Sequence, residues 1–297
     1  MSKVSIIIPA RNENPQNVSK TIKSIYENAT GDFEVIIGFD GPHQVPLVRE
    51  FYNNLKIIDF PDVVGIKTNI NALCAMATGK YIYKSDAHCR FGKGFDEILQ
   101  QDMQDDWIVM PRFKIIKDDW SIQQRDGQEE FYDYFYLCCP FTDPKGFRFK
   151  AGGHWPERTK ERLESHPGLD ETPQIHGSGW FMTKERFFEL GGFPNIDPYG
   201  HAQEPIWLAL KNWLMGSKVM VNKKTWYAHL HQDGNKRGYK MDKEQENRSY
   251  DLAVKHFMGD KGNYLHNMEW FLDKFNPMPG WPENWKELLN KYQNEHI

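Results

Sequence analysis

The sequence is poor in cysteine, in long apolar runs and in net charge, and each shortage excludes a class of protein. Only four cysteines occur among 297 residues, and the adjacent pair Cys138-Cys139 suits neither a disulfide framework nor a zinc site, which favours a reducing compartment. No apolar run approaches the roughly 18 residues of a membrane-spanning helix. A net charge of −4 provides no general attraction to nucleic acid or to anionic membranes.

The chain enters its first apolar run directly, without the basic and apolar regions of a signal peptide. With the shortages above, this predicts a soluble protein without membrane insertion. The expected location is the cytoplasm, either of a cell or of a virus-infected host. The sequence does not indicate an oligomeric state.

Two kinds of apolar segment alternate at the start of the chain: continuous runs typical of buried strands, and segments with helical spacing. The first run, Val4–Pro9, ends at a proline, and Pro15 then suits the first turn of a helix. The predicted order is strand 4–9, helix 16–28, strand 33–39, strand 56–60, helix 66–77 and strand 81–83. Such alternation predicts a three-layer α/β fold with a mostly parallel central sheet.

Candidate ligand-binding residues lie at the ends of three of these predicted strands. Pro9, Ala10 and Arg11 close the first strand, Asp40 follows the second, and Asp86 follows the strand at 81–83. Ligands of parallel sheets gather beyond the C-terminal ends of the strands. The placement favours one shared nucleotide site, although Arg11 also fits a surface charge and Asp40 a simple turn.

An acid and an imidazole stand two residues apart at Asp86 and His88. On an extended backbone, residues i and i+2 point to the same side, so both side chains can reach one point. A carboxylate oxygen and an imidazole nitrogen together suit Mn²⁺ better than Mg²⁺, which prefers oxygen ligands. The alternative interpretation is an Asp–His hydrogen bond at the end of a strand.

The Asp86-Ala87-His88 motif resembles the metal-binding Asp-x-His of GT-A glycosyltransferases, especially the polypeptide N-acetylgalactosaminyltransferases. The similarity extends from about Val4 to His229, with a weaker continuation to about residue 257. It implies a GT-A, Rossmann-like fold that binds a nucleotide-sugar donor, with UDP as the favoured nucleotide. It also implies a Mn²⁺ ion, with Mg²⁺ as the alternative, that bridges the donor diphosphate.

The resemblance also assigns roles to individual positions. His229 completes the metal site with Asp86 and His88, His231 is the reserve ligand, and all three ligands are expected at exposed strand ends. The nucleotide-binding positions that it implies are Pro9, Ala10, Arg11, Asp40, Lys67, Ser85 and Asp86.

The second half of the site begins with a glycine-rich segment, residues 176–182. Its glycines allow the backbone to approach a ligand closely, and the resemblance places Gly179 and Trp180 as substrate-binding residues, with Trp180 presenting a flat apolar face. Glu204 begins an amphipathic helix and matches the acid at the family's reaction centre, although a helix N-terminus favours an acid even without such a role. Pro205 stands where many inverting relatives carry their catalytic base. Either Glu204 is the base or the reaction retains the anomeric configuration, and retention is favoured.

Residues 234–239 resemble the family's mobile loop over the donor diphosphate. In such a loop Lys236 or Arg237 would neutralise phosphate charge and bind substrate. The alternative is an exposed basic loop without that role.

The catalytic domain is predicted to span residues 1–257, with a nucleotide-binding half at 1–110 and an acceptor and metal half at 111–257. Residues 258–297 are predicted to be a C-terminal appendage whose default role is packing.

The stretch from Pro111 to Gln174 is expected to be irregular. Its basic, aromatic-bearing segments 145–150 and 158–162 fit an acceptor groove, including one for a nucleic-acid backbone, or else a solvated surface loop.

The predicted activity is metal-dependent transfer of a sugar from a nucleotide sugar to an acceptor hydroxyl. The acceptor stays open among a protein, a glycan and a hydroxymethylated base of phage DNA. One alternative is a non-catalytic nucleotide-sugar- or carbohydrate-binding module, against which the intact metal motif argues. The other is a nucleotidyltransferase, whose glycine-rich loop is missing from residues 10–14.

Overall fold

The computed structural model of the chain describes residues 1–45, 52–143, 149, 151–194, 203–232, 237–240, 242–259 and 262–296. The strands are β1 Val4–Ala10, β2 Phe33–Asp40, β3 Leu55–Phe60, β4 Tyr81–Ser85, β5 Cys89–Phe91, β6 Ile108–Ile116, β7 Gln124–Arg125, β8 Gln128–Glu129, β9 Phe131–Tyr132, β10 Phe135–Leu137, β11 Ala151–His154, β12 Leu169–Glu171, β13 Gly179–Thr183 and β14 Val219–Leu230. The helices are α1 Pro15–Asn28, α2 Ile66–Met76, α3 Phe95–Gln101, α4 Pro156–Ser165, α5 Lys184–Glu189, α6 Glu204–Leu214, α7 Lys243–Phe257, α8 Met268–Lys274 and α9 Trp285–His296.

The largest sheet is built around a parallel core. β4, β1, β2 and β3 lie side by side in that order and pair in parallel. β13 then pairs antiparallel with both β4 and β6, while β14 pairs in parallel with β6. β12 and β5 both pair antiparallel with β14. The predicted α/β fold with a parallel core is confirmed, and β13 adds an antiparallel strand near its centre.

The apolar runs of the sequence belong to strands that are covered on both faces. Every residue of β1 is buried, and α2 packs against both β1 and β2. α1 begins where the side chain of Asn14 accepts a hydrogen bond from the Gln16 backbone N–H, with Pro15 in the first turn. The C-terminal ends of these strands therefore point to one common edge of the sheet.

The stretch from residue 111 to residue 174 is more regular than the sequence indicates, because α4 lies within it. α4 is rich in charged residues and has Leu163 as its one large aliphatic residue, so the apolar periodicity that marks a helix is missing. Two of its three basic side chains make contacts within the fold. Arg162 Nη2 donates to Asp170 Oδ1 at 2.7 Å, and the Arg158 guanidinium lies 5.1 Å from the centre of the Tyr134 ring.

The expectation of a surface loop is therefore wrong for residues 158–162, which belong to a helix, and their part in an acceptor groove stays a prediction. The other basic segment, residues 145–150, lies outside the described residues except for Phe149, which is buried.

The residues that follow α7 pack onto the same core as the sheet. Met268, Phe271 and Leu272 of α8 and Trp285 and Leu289 of α9 belong to the hydrophobic cluster that contains the central strands. α8 contacts α6 directly. The domain boundary at residue 257 stays a prediction.

Candidate metal centre and adjoining pocket

Three predicted metal ligands from distant parts of the chain meet at one point. Asp86 and His88 lie in the turn between β4 and β5, and His229 lies near the end of β14, where it pairs with Cys89 of β5. His229 Nε2 is 3.1 Å from Asp86 Oδ2, and the rings of His88 and His229 are 4.7 Å apart between their centres. One ligand atom from each residue lies within 4.8 Å of the other two. The set offers the carboxylate oxygen and imidazole nitrogens that suit a divalent transition metal.

The two histidines are more buried than the sequence indicates. His88 and His229 are 8% and 7% exposed, so the expectation of exposed ligands is wrong for both. Burial, opposed by the contact with Asp86, lowers the pKa of His229 to about 3, so its imidazole is neutral near neutral pH. Its Nδ1 atom is buried without a hydrogen-bond partner among the described residues. A neutral and incompletely bonded imidazole beside a carboxylate fits a metal ligand.

The carboxylate of Asp86 is held in its charged form by its neighbours. Burial favours the protonated carboxyl, but Lys84, His229 and His88 outweigh that effect and hold the pKa of Asp86 well below its usual range. Lys84 Nζ contacts Asp86 Oδ1 and also donates to the backbone carbonyl of Gly177 at 2.6 Å. Sequence analysis assigned no role to Lys84. Its spacing of two residues from Asp86 was the signal that could have found it.

Glu13 is a further residue of the site that sequence reasoning missed. Its Oε2 atom lies 3.2 Å from His88 Nδ1. Burial lowers the pKa of His88, but hydrogen bonding and attraction by Glu13 outweigh it, and the net pKa is raised. A carboxylate on one ring nitrogen fixes the tautomer and orientation of a histidine ligand and leaves Nε2 for the metal. Glu13 lies 75 residues before His88, so no local pattern links the two.

A layer of rings lies behind the histidines. His176 stacks on Phe113 with 4.5 Å between ring centres and lies 5.6 Å from His229. Its Nδ1 atom is 2.6 Å from Ser178 Oγ. Burial, reinforced by the neighbouring His229 and His231, holds the pKa of His176 well below its usual value. This layer therefore packs against the site without adding positive charge.

An open pocket of about 350 Å³ adjoins the three ligands. The residues that line it include Pro9, Ala10, Arg11, Asp40 and Arg237 together with Asp86, His88 and His229. Further lining comes from the start of α7, at Asp242, Gln245 and Glu246. The pocket thus brings most of the predicted nucleotide-binding positions together with the predicted metal ligands.

Asp40 lines the pocket while its carboxylate binds the backbone that precedes α2. Its Oδ1 atom accepts hydrogen bonds from the Val64 N–H at 2.6 Å and the Gly65 N–H at 3.2 Å. Gly65 has a φ of +88°, in the left-handed region that favours glycine. Asp40 therefore shapes this wall of the pocket, and its contact with a base or ribose stays a prediction.

Two predicted nucleotide-binding residues do not face the pocket, and this corrects their assignment. Lys67 is buried and donates from Nζ to Ser249 Oγ of α7 at 2.8 Å. Ser85 is buried and donates to the backbone carbonyl of Asp86 at 2.8 Å. Both side chains join elements around the pocket instead of lining it.

Gly179 and Trp180 are also corrected. Trp180 is fully buried and stacks on Phe187, with ring centres 6.0 Å apart, because β13 is an interior strand covered by α5. It presents no face to a sugar. A Cβ atom at Gly179 would lie 2.6 Å from the Tyr227 ring, so this glycine makes room for a tyrosine and not for a ligand.

Glu204 is the first residue of α6 and is buried at 7% exposure. Its Oε1 atom has no hydrogen-bond partner among the described residues. Pro205, beside it, lies against Gly177, where an added Cβ would be 3.6 Å from the proline ring. Since Gly177 accepts from Lys84, and Lys84 contacts Asp86, the start of α6 is linked to the metal ligands through these two residues.

The segment 237–240 packs onto the loop that follows β1. Asn12 donates to the Gly238 carbonyl, and the Arg11 guanidinium lies 4.7 Å from the centre of the Tyr239 ring. Arg237 thereby reaches the pocket. Lys236, the alternative phosphate-binding residue, lies outside the described residues.

Comparisons with known proteins agree with this geometry. The model of glycosyl transferase family 2 matches residues 5–185 of this chain, and the chain belongs to that family. A Drosophila melanogaster protein named as a polypeptide N-acetylgalactosaminyltransferase 13 is 25% identical over 238 residues, which cover 74% of this chain and 40% of that protein. The chain therefore spans about two fifths of the length of this relative.

Solved structures show that the fold is GT-A. GalNAc-T7, crystallised with UDP, GalNAc and Mn²⁺, superposes with a TM-score of 0.69 at 16% identity, over 99% of this chain and 54% of that one. The first 349 residues of S. aureus TarS, in complex with UDP-GlcNAc, give a TM-score of 0.57 at 13% identity, over 91% of this chain and 69% of that one.

Within the described ranges, no helix combines the length and the apolar character needed to cross a membrane.

The Glu13–His88 contact generates a prediction about metal affinity. Glu13→Gln should weaken Mn²⁺ binding roughly 10–100-fold, because His88 loses the carboxylate that orients it. Titration of the protein with Mn²⁺ in the presence of saturating UDP measures the effect. Glu27→Gln, which changes an exposed acid on α1, is the matched control. Equal affinities in parent and Glu13→Gln protein would remove Glu13 from the site.

Proposed function

We propose that this chain is a metal-dependent glycosyltransferase that moves a sugar from a nucleotide-sugar donor, of the UDP class, to an acceptor hydroxyl. The observation that carries the proposal is the single pocket in which Asp86, His88 and His229 stand beside the residues at the ends of β1 and β2. Membership of glycosyl transferase family 2 and the GT-A fold support the donor class. A non-catalytic binding module would not need a complete set of metal ligands.

The donor's parts match different walls of the pocket. The loop of Pro9, Ala10 and Arg11 and the carboxylate of Asp40 would hold the nucleoside, since they lie at neighbouring strand ends. Arg237, beside them, would offer a guanidinium to the diphosphate, which is a charge-assisted contact.

The metal ligands define the reactive end of the donor. Asp86, His88 and His229 would hold Mn²⁺, or Mg²⁺ as the alternative, because their donor atoms are close and His229 is uncharged. A bound divalent ion supplies Lewis-acid stabilisation of the charge that develops on the leaving diphosphate. The protein's own contribution is to orient His88 through Glu13, to keep Asp86 ionised through Lys84 and to orient the acceptor.

Glu204 is proposed to act on the sugar or acceptor. Its buried Oε1 atom lacks a partner among the described residues, and an unpaired buried carboxylate oxygen is costly unless a ligand supplies a donor. Pro205 cannot serve as a base, so retention of the anomeric configuration is favoured over inversion. In a retaining reaction Glu204 orients the acceptor or stabilises developing positive charge.

The acceptor class is proposed to be a hydroxyl of a protein or glycan. Arg158 and Arg162, two of the basic residues that left a nucleic-acid acceptor open in the sequence, make contacts within the fold. A hydroxymethylated phage base, a phage origin and a cytoplasmic location stay predictions from the sequence.

A donor screen tests the proposed activity. The purified chain is incubated with UDP-GlcNAc, UDP-GalNAc, UDP-glucose, UDP-galactose and GDP-mannose, with Mn²⁺ or with EDTA, and the release of nucleoside diphosphate is measured. At least one UDP-sugar should be hydrolysed slowly in Mn²⁺ and not in EDTA. His229→Ala should reduce that release to background, because the metal loses a ligand.

His296→Ala, at an exposed histidine of α9, is the control and should match the parent. Metal-independent release, or full activity in His229→Ala protein that retains the parent's melting temperature, would contradict the proposal.

The role of Glu204 is tested by Glu204→Gln, which keeps the side chain's size and removes its charge. Turnover should fall by roughly 10²–10⁴, the scale of a general acid–base group, with donor affinity little changed. Glu185→Gln, at an exposed acid in the first turn of α5, controls for the loss of a helix-start acid. A Glu204→Gln protein with a lower melting temperature and normal turnover would make Glu204 a helix-stabilising residue only.

A further inference from the structure

Lys84 is a buried cation inside the central strand β4. Its side chain is 6% exposed, and its neighbours Ile82 and Tyr83 are fully buried. Burying an ammonium group is costly unless a counter-charge and hydrogen bonds compensate. Lys84 has both, because Nζ contacts Asp86 Oδ1 and donates to the Gly177 carbonyl at 2.6 Å. Its presence in the strand therefore depends on Asp86.

The same contact constrains Asp86. One carboxylate oxygen of Asp86 is taken by Lys84, and the other lies 3.1 Å from His229 Nε2. The unit charge of the carboxylate is balanced by the ammonium. Lys84 also donates to the Gly177 carbonyl, so it is held beside Asp86 by two contacts.

The positive charge of Lys84 has opposite effects on the binding of a cation and of an anion in this pocket. A divalent cation at Asp86 meets a fixed like charge on Lys84, whose burial limits screening by solvent. A diphosphate entering the same pocket meets that charge as an attraction. The site with Lys84 in place is therefore better matched to a cation and a diphosphate together than to a cation alone.

We propose that Lys84 is a positioning residue and built-in counter-ion of Asp86, which weakens binding of a divalent cation alone and strengthens binding of the donor diphosphate. This inference rests on the proposed metal and nucleotide-sugar site.

The test uses the full chain with Lys84→Met, which removes the charge and keeps the length of the side chain. Mn²⁺ affinity without nucleotide is measured by electron paramagnetic resonance of free Mn²⁺, and UDP affinity without metal by calorimetry. Lys84→Met should bind Mn²⁺ about tenfold or more tightly than the parent, the lower end of what one neighbouring like charge does to cation binding. It should lose affinity for UDP. A purely structural lysine would instead weaken both.

Lys84→Gln is the second variant, and it serves as the test if Lys84→Met fails to fold. Its amide can keep the hydrogen bond to Gly177 without the charge. It should therefore also bind Mn²⁺ more tightly and UDP more weakly than the parent. Lys80→Gln is the control, because it removes a charge just before β4 that forms an exposed ion pair with Asp105. Its affinities for Mn²⁺ and UDP should match those of the parent. Weaker or unchanged Mn²⁺ binding in a folded Lys84 variant would overturn this inference and leave the proposed function intact. A parent protein that binds no Mn²⁺ even with UDP present would overturn the proposed metal site and the inference with it.

Discussion

The antiparallel pairing of β14 with β5 sets the geometry of the candidate site, because its register places His229 opposite Cys89. A slip of one residue would turn His229 to the other face of the sheet and separate it from Asp86. The register is supported from the other side, where β14 runs in parallel along β6 with an irregularity between Asn222 and Trp226. Backbone pairing over the full length of β14 thus fixes a contact between residues that are 143 positions apart.

The second constraint on the site is the cost of burying charge. Asp86 can be ionised in this setting because Lys84 and the histidines compensate its burial. Burial lowers the pKa of His229 and of His176, so Lys84 is the cation in direct contact with the carboxylate. Glu13 contacts His88 and opposes the effect of burial on the pKa of that histidine.

The sequence predicts the local parts of this arrangement well. The spacing of two residues predicts that Asp86 and His88 face the same side. The apolar runs predict where β1 and β2 end. Both signals lie within a few residues of the chain. His229 needed the resemblance to a family, because only the sheet topology brings it near. Glu13 acts through a contact across 75 residues that no spacing reveals, whereas Lys84 stands two residues before Asp86 and could have been found from that spacing.

Other residues were misassigned for a related reason. Trp180 looks like a sugar-stacking residue in the sequence, but its strand is interior, so its ring packs on Phe187. The resemblance implies a nucleotide contact for Lys67, yet its ammonium donates to Ser249 of α7. In both cases the sequence does not predict the direction of the side chain, because direction depends on which neighbours cover each element.

The central claim is that Asp86, His88 and His229 hold a divalent ion against the diphosphate of a nucleotide. Anomalous diffraction near the manganese absorption edge, from crystals grown with Mn²⁺ and UDP, measures this directly. We predict one strong anomalous peak within coordination distance of all three side chains and next to the UDP diphosphate. A peak elsewhere, or UDP bound with its diphosphate remote from these residues, would contradict it.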